Sequence, residues 1–267
     1  MRPYIAMFKL KLVEGMQYRA AAWAGVTTQF FWGFMRLMIL AAFYRSSSSE
    51  PPMEWGQLTA YIWLQQSMLA LTMLWRTDNE LLTGIRDGHV AYELCRPYDL
   101  YSFWFARSVG SRLANAALRF LPILVVAFLL PGQYRMTLPP NLTAFALFIL
   151  SLALALLLVG AVSMFIYALT FITLTPAGST LIVTMLSDFL SGMVIPVAML
   201  PLWLRRVSNA LPFRYMSDLP FRLYSGNISG GDAALQIGVQ AAWIVALTLL
   251  GKLAFSAASR RIVVQGG

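Results

Sequence analysis

Charged residues are scarce in this sequence. Asp, Glu, Lys and Arg make up 12% of its 267 residues, about half of their usual share in a soluble domain. Hydrophobic residues make up 59%, and the mean hydropathy is +0.67. This composition excludes an ordinary soluble domain and indicates an integral membrane protein.

The sequence also lacks the residues and motifs of common catalytic sites. It has one cysteine, Cys95, and one histidine, His89, which excludes an internal disulfide and a zinc site built from such ligands. It contains no Gly-x-x-x-x-Gly-Lys-Ser/Thr, His-Glu-x-x-His or Gly-x-Ser-x-Gly motif. We therefore predict no catalytic residue, no bound metal and no cofactor in this chain.

Long apolar stretches dominate what is present. A helix needs about 20 apolar residues to cross about 30 Å of hydrocarbon. Stretches that meet this need cover residues 21–44, 56–75, 112–131, 141–173, 177–199 and 232–257. The net charge of +9 does not point to nucleic acid, because the basic residues flank these stretches instead of forming a patch. The sequence predicts an all-α bundle of six transmembrane helices in a single domain.

The distribution of Lys and Arg predicts the orientation of the bundle. Twelve of them fall on the side of both termini and six on the other side, with Arg36 and Arg119 inside spans. Such a bias places the termini in the cytosol of a multi-pass plasma (inner) membrane protein. Residues 2–18 precede the first span, and their apolar residues recur every three or four positions. This spacing favours an interfacial helix over a solvated extension of the first span.

The interval 76–112 is the most charged part of the chain. It carries five acids and five arginines, so it does not lie in hydrocarbon. Apolar residues nevertheless recur among these charges, in the manner of short amphipathic helices that break at Gly84 and Gly88 and stop before Pro97. We predict a cytosolic elbow that a soluble partner holds.

The interval 193–231 combines apolar residues with four prolines. These prolines divide it into pieces that are too short to cross a membrane and too apolar for open water. Re-entrant or interfacial helices on the outer face fit this pattern better than an ordinary aromatic belt. Four arginines in this interval predict a basic outer ring that contacts anionic lipid or cargo; they are Arg205, Arg206, Arg214 and Arg222.

Three ionisable residues lie inside predicted spans: Asp188, Arg36 and Arg119. A charge at the centre of a bilayer costs at least about 2.5–3.5 kcal/mol, so each side chain is expected to face the bundle interior or water. Asp188 paired with one of the arginines would form a structural ion pair. Alternatively, Asp188 lines a translocation route, and the sequence leaves both readings open.

This set of features resembles the permease subunits of ABC-2-type ABC transporters, which have the type V exporter fold. The resemblance rests on the order of the predicted helices, on the stretch from Gly88 to Tyr101 with its Arg96-Pro97 pair, and on the tail 260–267. It implies an interfacial helix before span one, a coupling helix between spans two and three, and re-entrant helices before span six. It covers essentially the whole chain.

The resemblance also implies partners and roles for individual residues. Two permease chains, identical or sister chains, would each bind a cytosolic ABC ATPase that holds ATP and magnesium, and membrane lipid would surround them. The residues that would couple to the ATPase are Leu81, Leu82, Ile85, Arg86, His89, Tyr92, Glu93 and Arg96. The residues that would line the translocation path are Gln65, Gln66, Met68, Thr72, Thr184, Asp188 and Gly192.

The implied function is ATP-driven efflux of an amphipathic substrate, such as a drug, a peptide or a lipid-like molecule. The alternative is a channel or scaffold subunit outside the ABC class. A channel is expected to carry rings of like charge or a carbonyl filter facing its pore, and one Asp per chain gives this little support.

Overall fold

A computed structural model describes residues 2–17, 19–46 and 50–259. The tail 260–267, which contributes to the family resemblance, lies outside the described residues. The helices are α1 (Arg2–Gln17), α2 (Arg19–Ser46), α3 (Trp55–Ser67), α4 (Leu69–Thr72), α5 (Asn79–Arg86), α6 (Val90–Leu94), α7 (Leu100–Leu129), α8 (Leu142–Thr173), α9 (Pro176–Leu190), α10 (Leu202–Ala210), α11 (Asp218–Tyr224) and α12 (Gly230–Ser259). Short 3₁₀ turns cover Gly132–Tyr134, Val197–Met199 and Phe213–Met216. The described part of the chain contains no strand, as an all-α protein requires.

Four helices in the described ranges are long and apolar enough to cross a membrane: α2, α7, α8 and α12. The stretch predicted as span two instead forms α3 and α4, which are separated at Met68. The stretch predicted as span five forms α9, which has 15 residues and ends at Leu190. At about 1.5 Å per residue, neither α3 nor α9 alone reaches across the hydrocarbon layer.

Helix α7 begins earlier than the predicted third span. The Asp99 side chain accepts a hydrogen bond of 2.9 Å from the backbone nitrogen of Ser102 and caps the helix at Leu100. The last part of the interval 76–112 therefore belongs to α7, and the elbow proper consists of α5 and α6. Helix α1 packs along α7, where Gly15 faces Ala114 so closely that a Cβ on Gly15 would lie 2.6 Å from the Cβ of Ala114.

Two aromatic clusters form the core. One surrounds Trp104, whose ring centroid lies 5.2 Å from that of Phe255 and 5.9 Å from that of Phe171. The other surrounds Trp63, which stacks on Phe30 at 5.3 Å. The first cluster packs against the elbow, and the second lies among α2, α3 and the 193–231 segment. Each cluster supports one of two regions where charged and polar side chains form hydrogen-bond networks.

The 193–231 segment consists of short helices, and several of its residues are buried. Pro201 immediately precedes α10, and Pro212 immediately precedes the turn Phe213–Met216. Leu219, Phe221 and Leu223 of α11 are fully buried, and α11 packs on α8 and α3. Prolines begin these pieces because their fixed φ suits a first helical turn and interrupts a continuing helix.

Candidate functional site

The elbow is tied to the bundle by a network of charged and polar groups. Asp78 caps α5 by accepting from the backbone nitrogens of Glu80 and Leu81 at 3.1 and 3.3 Å. The Arg107 guanidinium of α7 donates to both carboxylate oxygens of Asp78 at 2.6 and 3.0 Å, and it also contacts Glu80. The backbone nitrogen of Asp78 donates to the Tyr167 hydroxyl of α8 at 3.2 Å. These contacts fix the start of α5 against α7 and α8.

The apolar face of the elbow points into the bundle. Three of the eight predicted coupling residues, Leu81, Leu82 and Ile85, are buried in the same cluster as Trp104. A fourth, Glu93, accepts a hydrogen bond of 2.7 Å from the indole nitrogen of Trp104. These four residues hold the elbow in place, and the three buried ones are not on the surface where a partner would dock.

The other four predicted coupling residues are exposed: Arg86, His89, Tyr92 and Arg96. Tyr92 is 76% exposed, so most of its side chain is open to contact with another molecule. Arg86 forms an exposed ion pair of 2.8 Å with Asp87, and this hydrogen bond holds the pKa of the Asp87 carboxyl below its ordinary value. The elbow thus combines a fixed inner face with a polar and aromatic outer face.

A second network joins α2, α3 and the end of α9. Arg36 donates to the side-chain oxygen of Gln65 at 2.5 Å and to the Met193 carbonyl at 2.6 Å. Gln65 in turn donates to the Gly192 carbonyl at 2.9 Å. Gly192 has a φ of +82°, and a Cβ there would lie 2.5 Å from the Tyr61 hydroxyl, so this position requires glycine. Of the predicted path residues, Gln65 and Gly192 are brought together here.

Asp218, which the sequence analysis did not single out, lies at the centre of this network. Its carboxylate is fully buried and accepts hydrogen bonds from the Tyr61 hydroxyl at 3.1 Å and from the Val197 nitrogen at 3.2 Å. Arg222 and Arg214 lie 3.5 and 3.9 Å from the same carboxylate oxygen. The spacing of four residues between Asp218 and Arg222 was the available signal, since it places both on one face of α11, and Arg214 precedes that helix in the turn Phe213–Met216.

The predicted basic outer ring is wrong for three of its four arginines. Arg214 and Arg222 are paired with Asp218, and Arg205 donates to the backbone carbonyls of Ala198 and Leu200 at 2.5 and 3.2 Å. Only Arg206 of these four is exposed. The other three bond to groups within the protein. The short helices of this segment contain backbone carbonyl groups and a carboxylate that accept hydrogen bonds or ion pairs from them.

The remaining predicted path residues are spread over several places. Met68 and Thr72 are buried at the break between α3 and α4, and Thr184 is buried with its hydroxyl bonded to the Thr180 carbonyl at 2.8 Å. Gln66 is buried and lines a cleft that also includes Arg36. Asp188 is half-buried and makes no hydrogen bond or ion pair with a described residue, although it interacts electrostatically with Arg36.

Comparison with known proteins identifies the family. Residues 28–266 match the family model described as ABC-2 family transporter protein. No curated protein and no solved structure matches the chain. Members of this family are membrane components of transporters and normally work with an ATPase subunit. With most of its length matched and with four apolar helices long enough to cross a membrane, this chain is a multi-pass membrane protein that belongs to the ABC-2 transporter family.

Proposed function

We propose that this chain is the permease subunit of an ABC exporter in the plasma (inner) membrane. It pairs with a second permease chain, and a cytosolic ATPase subunit that holds ATP and magnesium binds each elbow. Membership of the ABC-2 family supports the permease role. The cargo is an amphipathic molecule that leaves the cell through the centre of the permease pair.

The single observation that carries this proposal is the construction of the elbow. Its inner face is fixed by Asp78, Glu93 and the buried leucines, and its outer face exposes Tyr92 and Arg96. A surface that is rigidly connected to α7 and α8 transmits a displacement of its partner to the membrane helices. Coupling of this kind requires an element with two positions that a ligand biases through different contacts in each.

The proposed topology has six crossings and cytosolic termini. Helix α3 with α4 makes the second crossing, and α9 makes the fifth with help from the segment that follows it. The hydroxyls of Ser208 and Ser217 donate to the Leu190 and Ser191 carbonyls, each at 2.6 Å. Backbone groups at membrane depth need such partners, so these bonds support a re-entrant arrangement in which the segment 193–231 completes the outer half of the fifth crossing.

The proposed path runs past Gln66 and Asp188. A half-buried carboxylate in an apolar helix is costly unless it faces water or a polar ligand. Asp188 makes no hydrogen bond or ion pair with a described residue, although the charge of Arg36 lies near it. Neither Arg36 nor Arg119 forms an ion pair with it in the described part of the chain, which favours the path role over the structural pair. Gln65 bonds to both Arg36 and Gly192, and these contacts stabilise the wall of the proposed path.

The elbow proposal is tested by co-purifying the chain with candidate ABC ATPase subunits from the same cell. Exposed Tyr and Arg residues at the centre of an interface commonly contribute about 2 kcal/mol each, which is roughly thirty-fold in affinity. We expect Tyr92→Ala and Arg96→Ala each to weaken ATPase binding by about this factor and to lower its turnover in the complex. Arg206→Ala is the matched control, because Arg206 is exposed but lies in α10. Unchanged binding in both elbow variants would contradict the proposal.

A further inference from the structure

Two neighbouring arginines, Arg76 after α4 and Arg119 in α7, lack a counter-ion among the residues that the structure describes. The side chains of Arg76 and Arg119 are half-buried, and neither forms a hydrogen bond or ion pair with any residue that the structure describes. They lie close enough for their charges to interact. Arg119 belongs to α7, where an unpaired charge costs at least about 2.5 kcal/mol, and a second positive charge nearby increases that cost. An anion between the two would remove it.

A polar cleft gives access to both arginines. It has a volume of about 280 Å³ and lies between α1, α7 and the chain that follows α4. We call it the basic cleft; its walls are Lys11, Glu14, Gly15, Arg76, Ser111, Asn115 and Arg119. The one carboxylate in these walls, Glu14, is bonded to Lys11 at 2.8 Å, and Lys11 also lies 3.8 Å from Glu80. The described residues therefore provide no counter-ion in direct contact with Arg76 or Arg119.

A second, larger cleft shares Arg119. It has a volume of about 410 Å³ and lies between α2, the break at Met68 and α7. We call it the apolar cleft; its walls include Gly25, Gln29, Trp32, Arg36, Trp75 and Arg119. Trp32 and Trp75 are about half-exposed, at 49% and 53%. Exposed indoles in these walls offer an apolar surface of the kind that lipid-like chains contact.

The apolar cleft extends along α2 from the arginine pair. Gly25 faces Arg119, since a Cβ there would lie 3.1 Å from the Arg119 Cζ, and Arg36 lies eleven residues further along α2. At about 1.5 Å per residue this is a length of about 16 Å, comparable to a hydrocarbon chain of a dozen carbons. Gln29 lies between the two ends; it is only 6% exposed, and its side-chain oxygen has no partner among the described residues.

We propose that the two clefts together bind an anionic amphiphile. Its phosphate or carboxylate head lies between Arg76 and Arg119 in the basic cleft, and its hydrocarbon chain follows α2 through the apolar cleft. The planar guanidinium groups suit an oxyanion, which accepts two parallel N–H bonds from each. The ligand is either an anionic phospholipid of the membrane or the cargo itself. Binding does not depend on transport, and only the cargo assignment rests on the proposed function.

The binding test uses the full chain purified in a neutral detergent, with native mass spectrometry and thermal unfolding as the measurements. The probes are phosphatidylglycerol and phosphatidylcholine with identical acyl chains. We expect the wild type to bind the anionic lipid about tenfold more tightly and to be stabilised by it. The double variant Arg76→Gln, Arg119→Gln is expected to lose this preference, whereas Arg206→Gln is expected to keep it. Equal binding of both lipids by the wild type, or a preference that survives in the double variant, would overturn the proposal.

Thermal unfolding without lipid shows whether the double variant still folds. Its substitutions remove two unpaired charges and no hydrogen bond of the described side chains, so its unfolding midpoint is expected to equal or exceed that of the wild type. A lower midpoint would mean that the two charges are already compensated inside the protein, and this result would also count against an anion site.

Competition between dodecyl phosphate and inorganic phosphate tests the need for a hydrocarbon chain. Dodecyl phosphate is expected to displace phosphatidylglycerol at a concentration at least tenfold below that of inorganic phosphate, and equal competition would overturn the amphiphile assignment. In the complex with its ATPase, stimulation of ATP turnover by dodecyl phosphate assigns the ligand as cargo, and binding without stimulation assigns it as a resident lipid. Failure of the ATPase to bind at all contradicts the proposed function and leaves the lipid measurements intact.

Discussion

Replacing Asp218 by alanine is expected to lower the free energy of unfolding by about 3–5 kcal/mol, the usual cost of removing one partner of a buried ion pair. The variant leaves the buried Arg214 without its carboxylate, removes the acceptor of the Val197 nitrogen, and leaves the Tyr61 hydroxyl with the Gly192 carbonyl as its remaining acceptor. The charge on Arg214 then remains buried without its carboxylate partner, and the neutral Asn209 side chain is left as its hydrogen-bond acceptor. In a protein of this size the loss corresponds to a decrease of about 10 °C in the unfolding midpoint.

The matched control for this prediction is Asp232→Ala. Asp232 is an exposed aspartate in the first turn of α12, so its replacement removes the same group from a solvated site. A helix-terminal charge of this kind contributes typically 0.3–1 kcal/mol. The measurement is thermal unfolding of the purified chain in detergent. If the two variants unfold at the same temperature, Asp218 does not stabilise the fold in the way described above.

Replacing Asp78 by alanine is expected to separate binding of the ATPase from its coupling. The change removes the cap of α5, which contributes about 1 kcal/mol, and leaves Arg107 with Glu80 as its remaining acidic partner. The exposed Tyr92 and Arg96 are untouched, so the ATPase still binds. Because the start of α5 loses its cap and its strongest contact with α7, we expect transport and permease-dependent ATP turnover to fall at least about tenfold.

Asp87→Ala is the control for the elbow, since it makes the same change in the same segment. Asp87 is exposed and pairs only with the exposed Arg86 among the described residues, and exposed pairs of this kind contribute little. Affinity and turnover are both measured with the purified complex. An Asp78→Ala complex that turns over ATP and transports like the wild type would contradict the role of the Asp78–Arg107 contact.

The sequence alone predicted the features that depend on composition and local pattern. Apolar length and low charge predicted a helical membrane protein. The order of the predicted helices and the short motif around Arg96-Pro97 predicted the family that the match over residues 28–266 then showed. The amphipathic pattern of residues 81–94 predicted short helices in the elbow. It did not predict what the apolar face would contact. A face that is buried against the bundle has the same sequence pattern as a face that is buried against a partner.

Contacts between residues far apart in the chain could not be predicted from the sequence. Tyr61 and Asp218 are 157 residues apart in the chain, and their contact depends on the left-handed conformation of Gly192. Arg214 and Arg205 were assigned to a basic outer ring because they fall in a segment on the outer side of the predicted topology, whereas here they bond to a carboxylate and to backbone carbonyl groups. The break at Met68 was not predicted, because no proline or glycine lies beside it in the sequence.

The most direct test of the account uses Cys95, the single cysteine of the chain, which is exposed in the elbow. A membrane-impermeant maleimide is applied to intact cells and to inside-out vesicles, with and without the bound ATPase. The account predicts labelling only in inside-out vesicles, and at least about tenfold slower labelling when the ATPase is bound. Labelling of Cys95 from outside intact cells, or a rate that the ATPase does not change, would contradict the claim that the elbow is the cytosolic surface on which the ATPase acts.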